Sequence, residues 1–175
     1  MVPAMSTSAA ARPAASVALL WQWGRLADLA VDDLYAVMAA RQEVFAVEQR
    51  CAFLDADGLD RHAWHLLGWD QRDRNRILAS YLRLVDPGWK FAEPSIGRVL
   101  TTAAYRGAGL GRVLMNEGLV RAGRAFPGHA IRIAAQQRLE RFYASLGFRT
   151  VSAPFEEDGI PHVEMLYPGR AAGTA

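Results

Sequence analysis

The feature that most constrains this chain is a glycine-rich hexapeptide, RGAGLG at residues 106–111, set between two regular segments. A β-prone run at residues 96–101 precedes it, and Leu110, Val113 and Leu114 after it share one helical face. Three glycines in five residues leave backbone N–H groups uncovered at a helix start, where the helix dipole is positive. This strand–loop–helix unit predicts a cradle for a phosphate or pyrophosphate, with the permanent charge of Arg106 at its entrance.

The hexapeptide also resembles three other kinds of glycine-rich segment. A Walker A loop requires Lys followed by Ser or Thr, and Arg112 and Val113 stand at those positions. A dinucleotide fingerprint requires an acidic residue about 20 residues further on, and none follows there. An ordinary glycine-rich turn before a helix stays open on the hexapeptide alone.

The pattern Arg/Gln-x-x-Gly-x-Gly/Ala at residues 106–111 resembles the acetyl-coenzyme A loop of the GCN5-related N-acetyltransferase (GNAT) family. Residues 142–148 (FYASLGF) resemble the second signature of that family, whose tyrosine, Tyr143 here, points at the coenzyme sulfur. Residues 41–49, 55–58 and 155–162 resemble the ElaA-like branch, whose acceptor is unsettled.

The resemblance implies an α/β fold, with a central mixed sheet flanked by helices and the coenzyme entering where two central parallel strands splay apart. It implies transfer of an acetyl group from acetyl-coenzyme A directly to a small-molecule or peptide amine, without a metal. A non-catalytic acyl-coenzyme A sensor is the alternative. The implied coenzyme-binding residues are Val99, Leu100, Thr101, Arg106, Gly107, Ala108, Gly109, Leu110, Gly111, Arg112, Gln136 and Tyr143.

The chemistry of amide formation requires a base, because the attacking amine must be neutral and a lysine-type amine is protonated at pH 7. Family resemblance places the oxyanion-stabilising N–H in residues 99–101, and Tyr143 is predicted to protonate the leaving thiolate. The catalytic candidates are Tyr143, Glu48 and His162, with His65 and the pair Glu156/Glu157 as further candidates for the base. Cys51 as an acyl-carrying nucleophile is disfavoured, since no base is fixed near it in sequence.

Asp32 is predicted to cap a first helix that runs to about Gln49, and charged residues in this helix and in the loop after it give a further prediction. Arg41 and Glu48 fall on the apolar face of that helix, so each meets a structural counter-charge or a polar cavity. The loop at residues 55–60 lacks the spacing of an EF-hand, and turn-forming is preferred over acceptor-facing for its aspartates. If Glu48 and this loop meet residues 156–158 in space, their carboxylates would surround one opening and favour a cationic acceptor. The alternative is that these acids are solvated loop charges that balance nearby arginines.

Composition limits the other function classes. With 175 residues and 51% hydrophobic content, the chain is predicted to form a domain at residues 17–168, between a disordered leader at 1–16 and a flexible tail at 169–175. The formal net charge of +2, with dispersed arginines and a single lysine, Lys90, gives no support for nucleic-acid binding. No apolar run reaches the roughly 20 residues that cross a bilayer. The one cysteine suits a cytoplasmic protein, and a homodimer is left open.

Overall fold

The computed structural model describes residues 18–71 and 76–169. The predicted leader and most of the predicted tail lie outside these residues, as does most of the polar turn predicted at residues 71–75. The proposed domain boundaries therefore stay a prediction.

The described chain builds a mixed sheet with helices on both faces, which confirms the predicted fold class. The strands are β1 (Leu19–Arg25), β2 (Ala63–Asp70), β3 (Ile77–Val85), β4 (Ser95–Thr101), β5 (Ile131–Gln136), β6 (Arg149–Thr150), β7 (Phe155–Glu157) and β8 (Ile160–Tyr167). They are ordered β1-β2-β3-β4-β5-β8-β6, with β7 paired to β8. Every pairing is antiparallel except that of β4 with β5.

Within the described residues, three α-helices cover the sheet: α1 (Val31–Arg41), α2 (Leu110–Ala125) and α3 (Glu140–Ala144). Side chains of α1 pack with Leu67 and Tyr81, whereas α2 and α3 pack with Leu66 and Leu82. Since neighbouring strand residues point to opposite faces, α1 lies on one side of the sheet and α2 and α3 lie on the other. A Cβ at Gly118 of α2 would lie 2.6 Å from a Leu82 methyl carbon, so this position requires glycine for close helix–strand packing.

The parallel strands β4 and β5 meet at one end only. Their registered pair is Ser95 with Arg132, and the Arg132 amide also donates to the Pro94 carbonyl at 3.0 Å. Beyond this pair the two strands diverge, which confirms the predicted splay at the centre of the sheet.

Strand β4 carries a bulge next to the splay. Between the pairs Tyr81–Leu100 and Arg83–Gly97, two residues of β4, Arg98 and Val99, face one residue of β3. Arg98 adopts a left-handed backbone with φ of 52°. A bulge takes backbone groups out of the hydrogen-bonded ladder, so this part of β4 has amide groups that a bound molecule can use.

The first helix differs from its prediction at both ends. It was expected to begin at an Asp32 cap, but Ala30 precedes its first turn and Asp32 lies inside that turn, where its charge is favourable to the dipole. It was also expected to run to about Gln49, but the α-helix ends at Arg41 and continues as a π-helical segment, Gln42–Glu48. Such wide turns are frequent at functional sites. Gly147 caps the C-terminal end of α3, with φ of 98°, and the Phe148 amide donates to the Tyr143 carbonyl.

Candidate functional site

A cavity of about 820 Å³ occupies the space that opens between β4 and β5. One wall is formed by β4 and the bulge, and another by β5 and the start of the segment after it. The π-helical segment, the loop at residues 51–57 and the β7–β8 hairpin close the remaining sides. Cavities of this size enclose substrates and cofactors, and this one lies at the predicted entry of the coenzyme.

A second cavity of about 270 Å³ adjoins the glycine-rich loop, and Thr101, Tyr105 and Phe142 complete its wall. Gly107 and Gly109 have φ of 79° and 76°, and a Cβ at either position would meet no atom within 4 Å. The loop backbone is therefore open toward the cavity. The Arg112 amide donates to the Gly109 carbonyl at 3.1 Å, but the amides that begin a helix have no carbonyl one turn back, so Leu110 and Gly111 offer donors for a pyrophosphate.

Both arginines of the loop are held by neighbouring groups. Arg106 donates to the Thr101 carbonyl at 3.0 Å and to Glu48 at 2.8 Å. Arg112 donates to the Ser145 hydroxyl at 2.7 Å, which ties the first turn of α2 to the end of α3. Ala108 lies between the two left-handed glycines, and Leu110 is buried beneath the loop. The residues of the predicted cradle are therefore contiguous, and their neighbours hold the loop in this conformation.

The predicted strand contacts Val99, Leu100 and Thr101 all line the larger cavity, directly after the bulge. Gln136, at the end of β5, lies on the opposite wall and donates to the Gln49 side chain at 3.0 Å. This hydrogen bond joins the second parallel strand to the end of the π-helical segment across the cavity.

Tyr143 lines the same cavity and is 7% exposed. Its ring packs edge-to-face against Phe142 and Phe148, with centroids 5.1 and 5.8 Å away. Burial raises the pKa of Tyr143 to about 12, so the phenol stays protonated at neutral pH. Among the described residues its hydroxyl has no hydrogen-bond partner, which leaves the proton available to a molecule in the cavity.

Glu48 and His162, the two candidate bases, also line this cavity. The carboxylate of Glu48 accepts from Arg106, which connects this wall to the cradle. His162 lies opposite Gln136 on β8, and its Nδ1 is 2.7 Å from the Ile160 carbonyl. A carbonyl can only accept, so Nδ1 carries a proton and Nε2 is the nitrogen that would act as a base.

The remaining candidates for the base differ in whether they line the cavity. His65 is 1% exposed, and its two ring nitrogens bond the Tyr81 hydroxyl and the Asp60 carbonyl. Burial lowers the pKa of His65, and the side chain is absent from the cavity wall, so it serves the core. Glu157 lines the cavity, whereas the neighbouring Glu156 does not.

The aspartates of the 55–60 loop contact three arginines that reach them from α1, β3 and β4. Asp55 contacts Arg41 and Arg98, each at 2.6 Å, and Asp60 contacts Arg41 at 2.6 Å and Arg83 at 2.9 Å. Arg41 is 1% exposed. The structural counter-charge considered for Arg41 is therefore present.

Asp57 completes this cluster of three arginines and three aspartates. It accepts from Arg83 at 2.6 Å, and it also accepts from the Leu59 amide, as expected for a turn-forming aspartate. Burial alone would raise the pKa of Asp57, but Arg83 and Arg98 lower it to about 2. Asp55 and Asp57 line the cavity together with Glu157 and Asp158, but both of these aspartates also face arginine, so a cationic acceptor stays a prediction.

Sequence reasoning missed two features of the cavity wall. Arg98 was not singled out, because nothing in the local sequence indicates a bulge or a left-handed arginine at that position. Lys90 was noticed only as the single lysine, and its place on the cavity wall depends on contacts with β7 that are distant in sequence.

The described residues contain no group of three or more His, Cys, Asp or Glu side chains arranged to hold a metal ion. None of the helices in residues 18–71 and 76–169 is long and apolar enough to span a bilayer.

Comparison with known proteins gives concordant matches. Residues 71–167 match the family described as "Acetyltransferase (GNAT) domain". UPF0039 protein sll0451 of Synechocystis is 42% identical over 147 residues, which are 84% of this chain and 94% of the relative. An acyl-CoA N-acyltransferase from Pseudomonas aeruginosa superposes with a TM-score of 0.79 at 40% identity, covering 85% of this chain and 99% of that one. Escherichia coli ElaA superposes with a TM-score of 0.78 at 35% identity, over the same shares of the two chains. The predicted GNAT fold and the ElaA-like resemblance are confirmed.

Proposed function

The chain belongs to the GNAT acetyltransferase family, and on that premise we propose that it transfers an acetyl group from acetyl-coenzyme A directly to an amine. Acyl transfer in general follows from the family; the acetyl donor and the amine acceptor are the proposal. We place the reaction in the cytoplasm, since the single thiol of the chain suits a reducing compartment.

One observation carries this proposal: the splay between β4 and β5 opens into a cavity that also contains a buried, protonated tyrosine. The glycine-rich loop adjoins the same strand, so a pyrophosphate held at the start of α2 would direct the rest of the coenzyme into the splay. A thioester is already activated, and the main task of the protein is to align an amine with its carbonyl carbon.

The proposed reaction assigns a task to each part of the cavity wall. The amine loses a proton to Glu48 or to Nε2 of His162, directly or through water, and attacks the carbonyl carbon. Amide groups freed by the β4 bulge stabilise the charge that develops on the carbonyl oxygen. The carbon–nitrogen bond forms and the carbon–sulfur bond breaks, while Tyr143 donates a hydrogen bond to the departing thiolate. The nitrogen releases its second proton, and the thiolate takes up one proton from solvent.

Removing the hydroxyl of Tyr143 tests its assignment. A phenol with a pKa of about 12 does not transfer its proton fully to a thiolate with an ordinary pKa near 8.5, so it acts as a hydrogen-bond donor. A hydrogen bond to a charged group is worth about 1.5–3 kcal/mol, so Tyr143→Phe should lower kcat about 10- to 100-fold. The loss should be the same from pH 6 to 9, since the phenol stays protonated across that range. Single-turnover kinetics measure it, and an unchanged chemical step would make Tyr143 structural.

Neutralising Glu48 tests the acceptor side. Glu48→Gln keeps size and hydrogen bonding, and we expect a higher acceptor KM, together with a lower kcat if Glu48 is the base. The change also removes the ion pair between Glu48 and Arg106. A double-mutant cycle with Arg106→Gln and the double variant therefore measures the interaction energy of this pair. Arg106→Gln should weaken coenzyme binding, whereas Glu48→Gln should spare it. If Glu48→Gln and the parent have identical acceptor kinetics from pH 6 to 9, Glu48 neither binds the acceptor nor acts as the base, and its role is the ion pair with Arg106.

A panel of amines and peptides, monitored by release of free thiol from acetyl-coenzyme A, tests the proposed function directly. Acceleration by at least one amine supports catalysis. The second candidate is a coenzyme sensor, which the pre-shaped cradle alone would also support. Coenzyme binding measured by calorimetry, without acceleration by any amine, would favour the sensor over the enzyme.

A further inference from the structure

Lys90 is the only lysine of the chain, and it lies on the wall of the large cavity. It belongs to the connection between β3 and β4, and its Nζ is 3.5 Å from a carboxylate oxygen of Glu157 on β7. The side chain of Lys90 is 31% exposed, and its Nζ is 5.6 Å from the ring centroid of Phe91. The one lysine of this chain therefore lines the cavity in which the proposed reaction takes place, and its amine lies beside Glu157, another residue of that wall.

The contacts of Lys90 do not lock it in place. An ion pair this exposed and 3.5 Å long adds little stability, and a lysine has a flexible four-carbon stem with rotatable N–H groups. The arginines on the same wall, such as Arg98, differ in this respect because a guanidinium stays protonated and is not a nucleophile. Lys90 is the one side chain on the described wall that can become a neutral primary amine.

We propose that Lys90 is a modification site, acetylated by the protein on itself from acetyl-coenzyme A. This inference rests on the proposed function and adds an acceptor within the chain. Lys90 first loses one proton to solvent, and its neutral Nζ then attacks the thioester carbonyl carbon. The carbon–nitrogen bond forms and the carbon–sulfur bond breaks, a second amine proton is released, and the thiolate takes up one proton. The products are one acetyl-lysine and one free coenzyme thiol.

Tethering makes this reaction effective without a dedicated binding site for the amine. An amine held on the wall of the reaction chamber attacks as part of the same molecule, and its effective concentration far exceeds that of a dissolved amine. Acetylation removes the positive charge of Lys90 and leaves the Glu157 carboxylate without that partner. The KM for cationic amines should therefore be lower in the acetylated protein than in the unmodified protein, and the KM for neutral amines should change less.

The test uses the full chain with acetyl-coenzyme A labelled in the acetyl group and no added amine. Intact-mass measurement and peptide mapping should find one acetyl group on Lys90, formed at a first-order rate that does not change over a roughly hundred-fold protein dilution. Lys90→Arg keeps the charge and should carry no label in the same peptide. The folded Gly109→Glu variant should label Lys90 at least tenfold more slowly, and heat-denatured protein measures direct chemical acetylation.

Four results would overturn self-acetylation of Lys90 within one molecule. Labelling of Lys90 at the rate of the denatured protein, or at a rate proportional to protein concentration, overturns self-acetylation within one molecule. An unlabelled Lys90 in a sample that binds the coenzyme also overturns it, and the thiol-release panel on that sample shows whether the proposed function survives. A sample that neither binds the coenzyme nor acetylates any amine removes both proposals.

Discussion

Gly109→Glu should raise the dissociation constant of acetyl-coenzyme A more than about 100-fold, or roughly 2.7 kcal/mol, while the domain stays folded. Gly109 precedes the first turn of α2, with φ of 76°, and a side chain there extends into the open space of the cradle. A carboxylate at this position both covers the backbone amides and repels a pyrophosphate. Titration calorimetry measures the affinity, and circular dichroism checks the fold.

A matched control separates strain from binding. Gly128 also has φ of 76° and open space at its Cβ, but it lies in the turn after α2 and outside both cavities. Gly128→Glu introduces the same left-handed strain, which we expect to cost on the order of 1–2 kcal/mol of stability. Coenzyme affinity should be unchanged in this control. Equal affinities in the Gly109→Glu and Gly128→Glu variants would disprove the cradle.

Arg41→Met should destabilise the protein by about 3–5 kcal/mol, because it removes one counter-charge from a buried cluster and leaves one carboxylate charge uncompensated. Burial alone would lower the pKa of Arg41, but contacts with Asp60 and Asp55 outweigh this and hold it above its usual value. The cluster with Arg83 and Arg98 is balanced, with three positive and three negative groups, and the substitution leaves one charge in excess. Chemical denaturation measures the change in the free energy of unfolding.

Two further variants make the Arg41 prediction specific. Adding Asp60→Asn to Arg41→Met restores the balance of charges, so part of the lost stability should return even if the single variant barely folds. Arg76→Met removes an arginine whose side chain is 45% exposed and that contacts Asp33 at 3.3 Å, and it should cost less than about 1 kcal/mol. If Arg41→Met lowers the free energy of unfolding no more than Arg76→Met does, the buried cluster contributes no more to stability than an exposed ion pair.

Local chemistry made some of the site predictable. Glycine spacing before an amphipathic helix indicated the cradle, and the structure gives Gly107 and Gly109 the left-handed backbone that this interpretation requires. The coenzyme-side residues were identified through resemblance, and the structure gathers them around two adjoining cavities. Their roles stay predictions until the variants are measured.

The remaining features of the site could not be predicted, because they depend on contacts between residues that are distant in sequence. Whether a charged loop attracts an acceptor depends on which counter-charges face it, and Arg83 and Arg98 reach Asp57 from strands 26 and 41 residues further along the chain. Helix periodicity placed Arg41 and Glu48 on one inward face, yet one meets buried aspartates and the other meets Arg106 beside the cavity. Periodicity reports the face of a helix and carries no information about the partner.

Local signals in the sequence identify the cradle, the second signature around Tyr143 and, through these motifs, the family. Only the assembled fold reveals the bulge at Arg98, the arginines that face the acidic loop, the absence of His65 from the cavity wall, and the place of Lys90 on it. Backbone propensity and glycine geometry act over a few residues, whereas electrostatic environment and access to a cavity depend on groups brought together only when the sheet is assembled.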